Sequence, residues 1–297
     1  MREVPARRTG AILAEAEERL ARAGVPEAGA SAEFLLAWVL RLGRGGMLCR
    51  SRDPLGAAAR RRFLHLVRRR SRGLPLAYVL GTQNFMGLEL RIRRGVLIPR
   101  PETEELVSAV LEAVPARRRG RPMRILDIGT GCGCIALALA RWLPEACVYA
   151  TDVSPAALAL AAENARICRL RRRIRFVQAD LFMPLSLGSG LGPQDRWADL
   201  IVSNPPYIPS GRIAALGPEV RSEPRRALDG GPDGLKAVRA VLERAPGMLR
   251  RGGWLALEID DGQGREVRRR MERRGFCPVE IGRDLGGFER IALGRLA

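Results

Sequence analysis

The stretch Ser203-Asn204-Pro205-Pro206-Tyr207-Ile208 sets one side-chain amide, two proline carbonyls and one aromatic ring at the end of a short apolar run, Asp199-Leu200-Ile201-Val202. That run reads as a buried strand. Proline donates no backbone hydrogen bond, so the two prolines end it, and a residue before proline is pushed to extended backbone. Asn204 and Pro205 therefore offer two carbonyl acceptors from a stiff strand end. Together they can accept both hydrogens of one planar –NH2 group while Tyr207 stacks on its face. An amide or aryl amine is a poor nucleophile because its lone pair is delocalised. Gripping both N–H groups fixes the nitrogen and returns electron density to it, which suits attack on a methyl sulfonium. On this reading Asn204, Pro205 and Tyr207 carry the catalysis, and Pro206 helps to hold the substrate. A proline-rich turn closing a strand would show the same four residues, so the weight falls on what lies upstream.

From residue 121 the pattern alternates strand and helix, the mark of a parallel sheet. Arg124–Ile128 is the first strand, Gly129-Thr130-Gly131-Cys132-Gly133 a tight turn, and Ile135–Leu143 a helix. Glycines there let backbone approach a ligand, and the following helix offers free N–H groups. The spacing is G-x-G-x-G, whereas a dinucleotide fingerprint wants G-x-G-x-x-G. The second strand, Val148–Thr151, ends at Asp152, which can accept hydrogen bonds from ribose hydroxyls. A helix over 155–167 and a strand over Ile174–Gln178 lead to Asp180 and Leu181, which can line an adenine pocket. Any one aspartate could be a helix cap, and Asp152-Val153-Ser154-Pro155 reads that way alone. Their joint placement at consecutive strand ends points to S-adenosylmethionine, a cofactor that carries its own reactive carbon.

The chain of 297 residues, 46% hydrophobic, can bury one large core or two modest ones. It has no apolar run long enough to span a bilayer, and with Glu3 among the first arginines and no apolar h-region there, no secretory signal is expected. A soluble cytoplasmic protein is expected, acting as a monomer. The formal charge of +19 is almost all arginine, since Lys236 is the only lysine. Basic surface alone gives only sequence-independent attraction, and no direct nucleic-acid substrate is expected. The six cysteines, Cys49, Cys132, Cys134, Cys147, Cys168 and Cys277, form no CxxC pair and read as reduced core residues. With His65 the only histidine, neither a Ser-His-Asp triad nor a histidine-based metal site is expected.

Residues 1–75 carry helix-period apolar positions (Ile12, Leu13, Leu20; Phe34, Leu35, Trp38, Val39; Phe63, Leu64, Val67), punctuated at Gly24-Val25-Pro26, Gly43 to Gly46 and Asp53-Pro54. They predict a small helical bundle. Residues 76–100 predict a hairpin linker, with arms Phe85–Ile92 and Val96–Ile98 about a turn at Arg93-Arg94-Gly95. The remainder, 101–297, is the catalytic domain, opening on a helix with Pro101 near its first position and acidic residues in its first turn.

Ile98-Pro99-Arg100-Pro101-Glu102-Thr103-Glu104-Glu105-Leu106, Leu126-Asp127-Ile128-Gly129-Thr130-Gly131, Asn204-Pro205-Pro206-Tyr207 and Glu223-Pro224-Arg225-Arg226-Ala227-Leu228-Asp229-Gly230-Gly231 together resemble the peptide chain release factor glutamine methyltransferases, the PrmC or HemK family. The likeness extends to Pro75-Leu76-Ala77-Tyr78 and the helical region. It implies a class I S-adenosylmethionine-dependent methyltransferase fold, Rossmann-like with a mostly parallel seven-stranded sheet, joined through the hairpin to the N-terminal bundle. The implied reaction methylates the glutamine amide in the Gly-Gly-Gln motif of class I release factors. Gly129, Thr130, Gly131, Cys132, Gly133, Asp152, Asp180, Leu181 and Asn204 would then contact the cofactor. Asn204 to Tyr207, with Arg100 and Glu102, would hold the substrate, and the bundle and hairpin would help grip the release factor. Cys132 stands where the family usually has serine or threonine. Asp260 stands where it usually has glycine, so strain is expected if that backbone needs positive φ.

Asn-Pro-Pro-Tyr is shared with adenine-amine methyltransferases of DNA or RNA, the main alternative. With aromatics at 5% and no separate base-reading domain, the sequence favours the amide substrate. Ribosomal-protein glutamine methyltransferases resemble the chain elsewhere but differ in the Arg-Pro-Glu-Thr-Glu stretch. A protein that binds the cofactor without turnover is the remaining rival, against which the intact acceptor pair argues.

Overall fold

The structure, a computed structural model, describes residues 8–43, 46, 51–114, 121–181 and 196–297. Glu3, Gly45 and Cys49, named above, lie outside them. The chain divides into two compact units, one running to Thr82 and including Gly217–Ser222, the other comprising Gln83–Leu216 and Glu223–Ala297.

The first unit is built from α1 (Thr9–Arg22), α2 (Ala28–Leu40), α3 (Ala57–Arg70) and α4 (Leu76–Leu80). Its periodic apolar positions converge on one core holding Ile12, Leu20, Leu35, Leu36, Phe63, Val67 and Val79. Two residues read as part of that stripe turn outward instead: Phe34 and Trp38 are 45% and 47% exposed. Four residues apart, they share one helix face, opposite the one that Leu35 and Leu36 bury. The segment Gly217–Ser222 joins this unit, and the buried Arg70 guanidinium meets Glu219 at 2.7 Å.

The hairpin consists of β1 (Thr82–Phe85) and β2 (Leu88–Arg91), so its arms differ from those expected. The turn falls at Met86-Gly87, both with positive φ (49° and 76°), as a two-residue hairpin turn requires. Its tip is clipped by Glu104, which accepts from the Met86 N–H at 2.7 Å. Val96–Ile98 is not a strand; it runs as a buried arm, with the Ile98 N–H donating to Glu223 at 2.9 Å.

The second unit continues with α5 (Pro101–Ala113), β3 (Arg124–Ile128), α6 (Cys134–Trp142), β4 (Cys147–Asp152), α7 (Pro155–Ile167), β5 (Ile174–Gln178), β6 (Ala198–Ser203), α8 (Lys236–Met248), β7 (Leu249–Glu258), α9 (Gly264–Arg273), β8 (Phe276–Arg283) and β9 (Glu289–Leu296). The seven strands lie in the order β5-β4-β3-β6-β7-β9-β8. The pairs from β5 to β7 are parallel, and β9 runs antiparallel to both neighbours. Every residue of β6 is buried, including Asp199. Its charge is met by Arg121, whose guanidinium donates to both carboxylate oxygens at 2.7 and 2.5 Å, and by the Arg124 N–H at 2.9 Å. A charged residue in a buried strand is thus compensated by a bidentate pair.

Because the chain moves outward from β3 to β4 and β5 and then returns to β6 on the other side, the strand order reverses between β3 and β6. A crevice outside the carboxyl ends is expected at such a point.

Candidate active site

A cleft of about 420 Å³ opens there. The loops after β3, β4, β5 and β6 supply Gly129 to Cys132, Asp152, Asp180 with Leu181, and Asn204 to Pro206 to its lining. The arm before α5 adds Val96, Leu97 and Pro99, and the first turn of α5 adds Thr103. The structure thus brings together residues read from four separate stretches of sequence. Gly133, Tyr207, Arg100 and Glu102 do not line the cleft.

Each of those four has a visible placement. Gly133 caps α6 with φ +89°, and a Cβ there would come within 3.1 Å of Ala161 on α7. Tyr207 is half-buried and donates its hydroxyl to Glu258 at 3.0 Å. Arg100 ion-pairs with the buried Glu223, which also holds the Ile98 N–H. That carboxylate ties the arm before α5 to the Glu223–Gly231 stretch. Glu102 is half-buried, and its charge helps to raise the pKa of Glu258.

The glycine loop is braced from both sides. Asp152 accepts from the Gly131 N–H at 2.9 Å and the Ser154 N–H at 2.8 Å. The cap of α7 is Ser154, whose hydroxyl accepts from Ala157 at 3.3 Å, so Asp152 is not the cap. Behind the loop, Asn164 is fully buried on α7. It donates to the Cys132 carbonyl at 2.9 Å and exchanges hydrogen bonds with Arg91 of β2 at 2.7 and 3.1 Å. The hairpin strand is therefore anchored on the same side chain that holds the loop. Asp127, also fully buried, accepts from the Thr130 hydroxyl at 2.6 Å and the Ala136 N–H at 3.2 Å, while its other oxygen has no partner. Burial pushes its pKa up to about 7, and those two hydrogen bonds offset only part of that. The donor set suits an adenosine-bearing cofactor: Asp152 retains lone pairs for ribose hydroxyls, and Ile128, Val153, Ala157 and Leu181 give apolar walls.

On the other side, Asn204 donates its amide nitrogen to the Thr103 hydroxyl at 3.0 Å, and that hydroxyl donates to Glu258 at 2.6 Å. Neither the Asn204 side-chain oxygen nor the Pro205 carbonyl accepts a hydrogen bond from any described residue. Both remain available to a ligand. The loop carrying them is held from below. Ile208 and Asp229 form a parallel bridge, and the Tyr207 carbonyl accepts from Gln263 at 3.2 Å. The glycines of the Asp229–Gly234 turn allow this approach, since a Cβ on Gly230 would lie 2.7 Å from the Pro206 carbonyl oxygen and one on Gly234 would fall on that of Tyr207.

Thr103 and Glu258 are the residues that reading the sequence missed as parts of the site. Thr103 stands in the sequence within the Ile98–Leu106 motif and the first turn of a helix, and Glu258 at the end of a strand, neither with a signal of its role. Asp260 carries no strain, because the positive φ in its loop belongs to Gly262 (81°). Its carboxylate accepts from Arg212 at 2.6 Å and Arg290 at 3.3 Å, a role glycine could not fill.

A mostly parallel seven-stranded sheet with a cleft at this switch point defines a class I methyltransferase. The solved hMettl16 catalytic domain in complex with MAT2A 3'UTR hairpin 1 shares that fold, with TM-score 0.56, 18% identity and 83% of each chain covered. Residues 11–81 match the PrmC N-terminal domain and residues 105–219 the methyltransferase small domain. Proteins named release factor glutamine methyltransferase are 48% identical in Moorella thermoacetica, over 86% of this chain and 87% of that one, and 43% identical in Geobacter sulfurreducens, over 93% of each. This chain belongs to the release factor glutamine methyltransferase family.

No described helix is long and apolar enough to cross a membrane.

Proposed function

We propose that the protein transfers the methyl group of S-adenosylmethionine to the side-chain amide nitrogen of the glutamine in the Gly-Gly-Gln motif of class I release factors. The observation that carries the reading is the pair of unengaged carbonyl oxygens, on Asn204 and Pro205, at the mouth of a cofactor-sized cleft. The names of the relatives support the same substrate.

S-adenosylmethionine, when bound, supplies an electrophilic methyl carbon on a positively charged sulfur. The glycine loop, Asp152, Asp180 and Leu181 would hold it, Asp152 offering acceptors to its ribose hydroxyls and Leu181 an apolar wall to its adenine. Asn204 and Pro205 accept the two N–H hydrogens of the substrate carboxamide, which orients the nitrogen toward the cleft. As the nitrogen gains a bond its hydrogens become more acidic, so both hydrogen bonds strengthen in the transition state, and one of the two protons then leaves to water. The Tyr207 ring stacks on the carboxamide plane, with its hydroxyl held by Glu258. Arg100 positions the arm beside the cleft through Glu223. The organisation is an N-terminal recognition bundle over 1–75, a linker over 76–100 and a catalytic domain over 101–297. The bundle and hairpin grip the release factor, and the exposed Phe34 and Trp38 offer an apolar contact for it.

Incubation with methyl-labelled cofactor and either a class I release factor, a ribosomal protein or an adenine-containing nucleic acid tests the proposal. Label in the Gly-Gly-Gln peptide by mass spectrometry is the expected result, and label confined to either other substrate overturns it.

A further inference from the structure

A carboxamide has two ends of nearly equal size, and only one of them can accept a hydrogen bond. Asn204 serves the proposed reaction only with its oxygen toward the substrate; reversed, it would set an –NH2 group against the substrate's own. Its fixed neighbour is the Thr103 hydroxyl, which has one proton to give and two lone pairs. Were that proton free to rotate, Thr103 could satisfy either end of the amide. It is not free, because it is committed to Glu258 at 2.6 Å, leaving Thr103 to accept from the Asn204 nitrogen at 3.0 Å. Glu258 takes a second proton-bearing group, the Tyr207 hydroxyl, at 3.0 Å. A carboxylate can only accept, so it sets the direction of every hydrogen bond in the chain.

We infer that Thr103 and Glu258 are positioning residues for methyl transfer: one oxygen of the Glu258 carboxylate polarises the Thr103 hydroxyl so that Asn204 presents its oxygen to the substrate amide, and the other oxygen anchors the Tyr207 ring. The inference rests on the amide-methylation reading above and deepens it.

The residues come from three distant parts of the chain: the first turn of α5, the loop after β6 and the last residue of β7. Thr103 is 1% exposed and Glu258 fully buried. A buried acid is an expensive way to join two hydroxyls, since a neutral amide of the same size would fill the space without desolvating a charge. The one property Gln lacks is being an acceptor at both atoms. Burial pushes the Glu258 carboxyl up to about 7; the hydrogen bonds from Thr103 and Tyr207 and the charge of Arg290 lower it, and the charge of Glu102 raises it. Once protonated, Glu258 becomes a donor, and the Thr103 proton is free to turn toward Asn204. Transfer should therefore weaken as pH falls through about 7.

The test is a set of variants assayed with release factor and labelled cofactor. Thr103→Val, which keeps the shape and loses the hydroxyl, should lower kcat about tenfold while cofactor Kd moves less than about twofold. Thr103→Ser should recover most of that loss. In an Asn204→Ala background, Thr103→Val should cost less than about twofold, because a residue acting through Asn204 has nothing left to orient. A purely structural role would instead multiply the two losses and lower cofactor affinity. Glu258→Gln should lower kcat at least as far as Thr103→Val and remove the acid limb of the pH profile, and in the Asn204→Ala background only the part of its loss that runs through Tyr207 should remain. It also decides the matter if Thr103→Val fails to fold. A Thr103→Val kcat within about twofold of wild type, or an undiminished loss in the Asn204→Ala background, overturns the inference while leaving the function intact. Absence of wild-type transfer to the release factor overturns both.

Discussion

The two sides of the cleft are built on different plans. On the cofactor side, Asp127, Thr130 and Gly131 lie within one strand–loop–helix turn, and Asp152 reaches them from the neighbouring strand end, 21 residues away. On the substrate side, Asn204 is oriented by Thr103, 101 residues distant, and Thr103 by Glu258, 155 residues distant. Local geometry suffices to cradle a cofactor that brings its own reactive carbon. Aiming a carboxamide requires side chains with a defined hydrogen-bond direction, and the fold gathers these from wherever strands and helices converge.

If that contrast is right, damage on the substrate side should appear in turnover and damage on the cofactor side in affinity. The largest effect is expected for Asn204→Ala, which should lower kcat by about 10² or more with cofactor Kd nearly unchanged, as titration calorimetry and initial rates would show. A loss mainly in Kd would erase the distinction. Next is the protonation of Asp127. Its carboxyl is raised from 3.8 to about 7 in the folded protein, so folding favours the protonated form and stability is lost as pH rises between those values. Asp127→Asn should therefore gain stability over wild type, by a few kcal/mol, as pH climbs from about 4 to about 7, with no further gain above. Urea unfolding across that range reads it, and a pH-independent difference would count against the burial argument.

Gly234→Ala should cost about 2 kcal/mol of stability and displace the Asn204 loop, because its Cβ would fall on the Tyr207 carbonyl at φ +76°. Thermal melts with parallel kcat measurements would sharpen the comparison by showing whether backbone support on the substrate side also registers in turnover. The smallest effect is expected for Asp152→Ala: about tenfold weaker cofactor binding, with kcat at saturating cofactor close to wild type. If kcat fell as far as affinity, the two sides would not be separable.

Much of the architecture was legible beforehand. The strands at Arg124–Ile128 and Ile174–Gln178 and the helix at Pro155–Ile167 announce themselves through apolar period and flanking punctuation, and they stand where read. The hairpin turn stands at Met86-Gly87 and not at Arg93-Arg94-Gly95, because a methionine at φ 49° carries no turn signature; a glutamate on the next helix holds it there. Phe34 and Trp38 share the helical period of the bundle's apolar positions yet stay exposed, since periodicity marks an apolar face without saying which of its edges stays uncovered.

The sequence by itself determined the parallel sheet, the glycine turn, the aspartates at strand ends and the stiff Asn-Pro-Pro-Tyr corner, because each is a property of residues adjacent in the chain. Only the tertiary structure decided which way the Asn204 amide faces, that Asp260 answers two arginines, and that Arg100 grips Glu223. Hydrogen-bond direction depends on which partner already holds each proton. That partner is chosen by packing between segments a hundred residues apart, where no local pattern reaches.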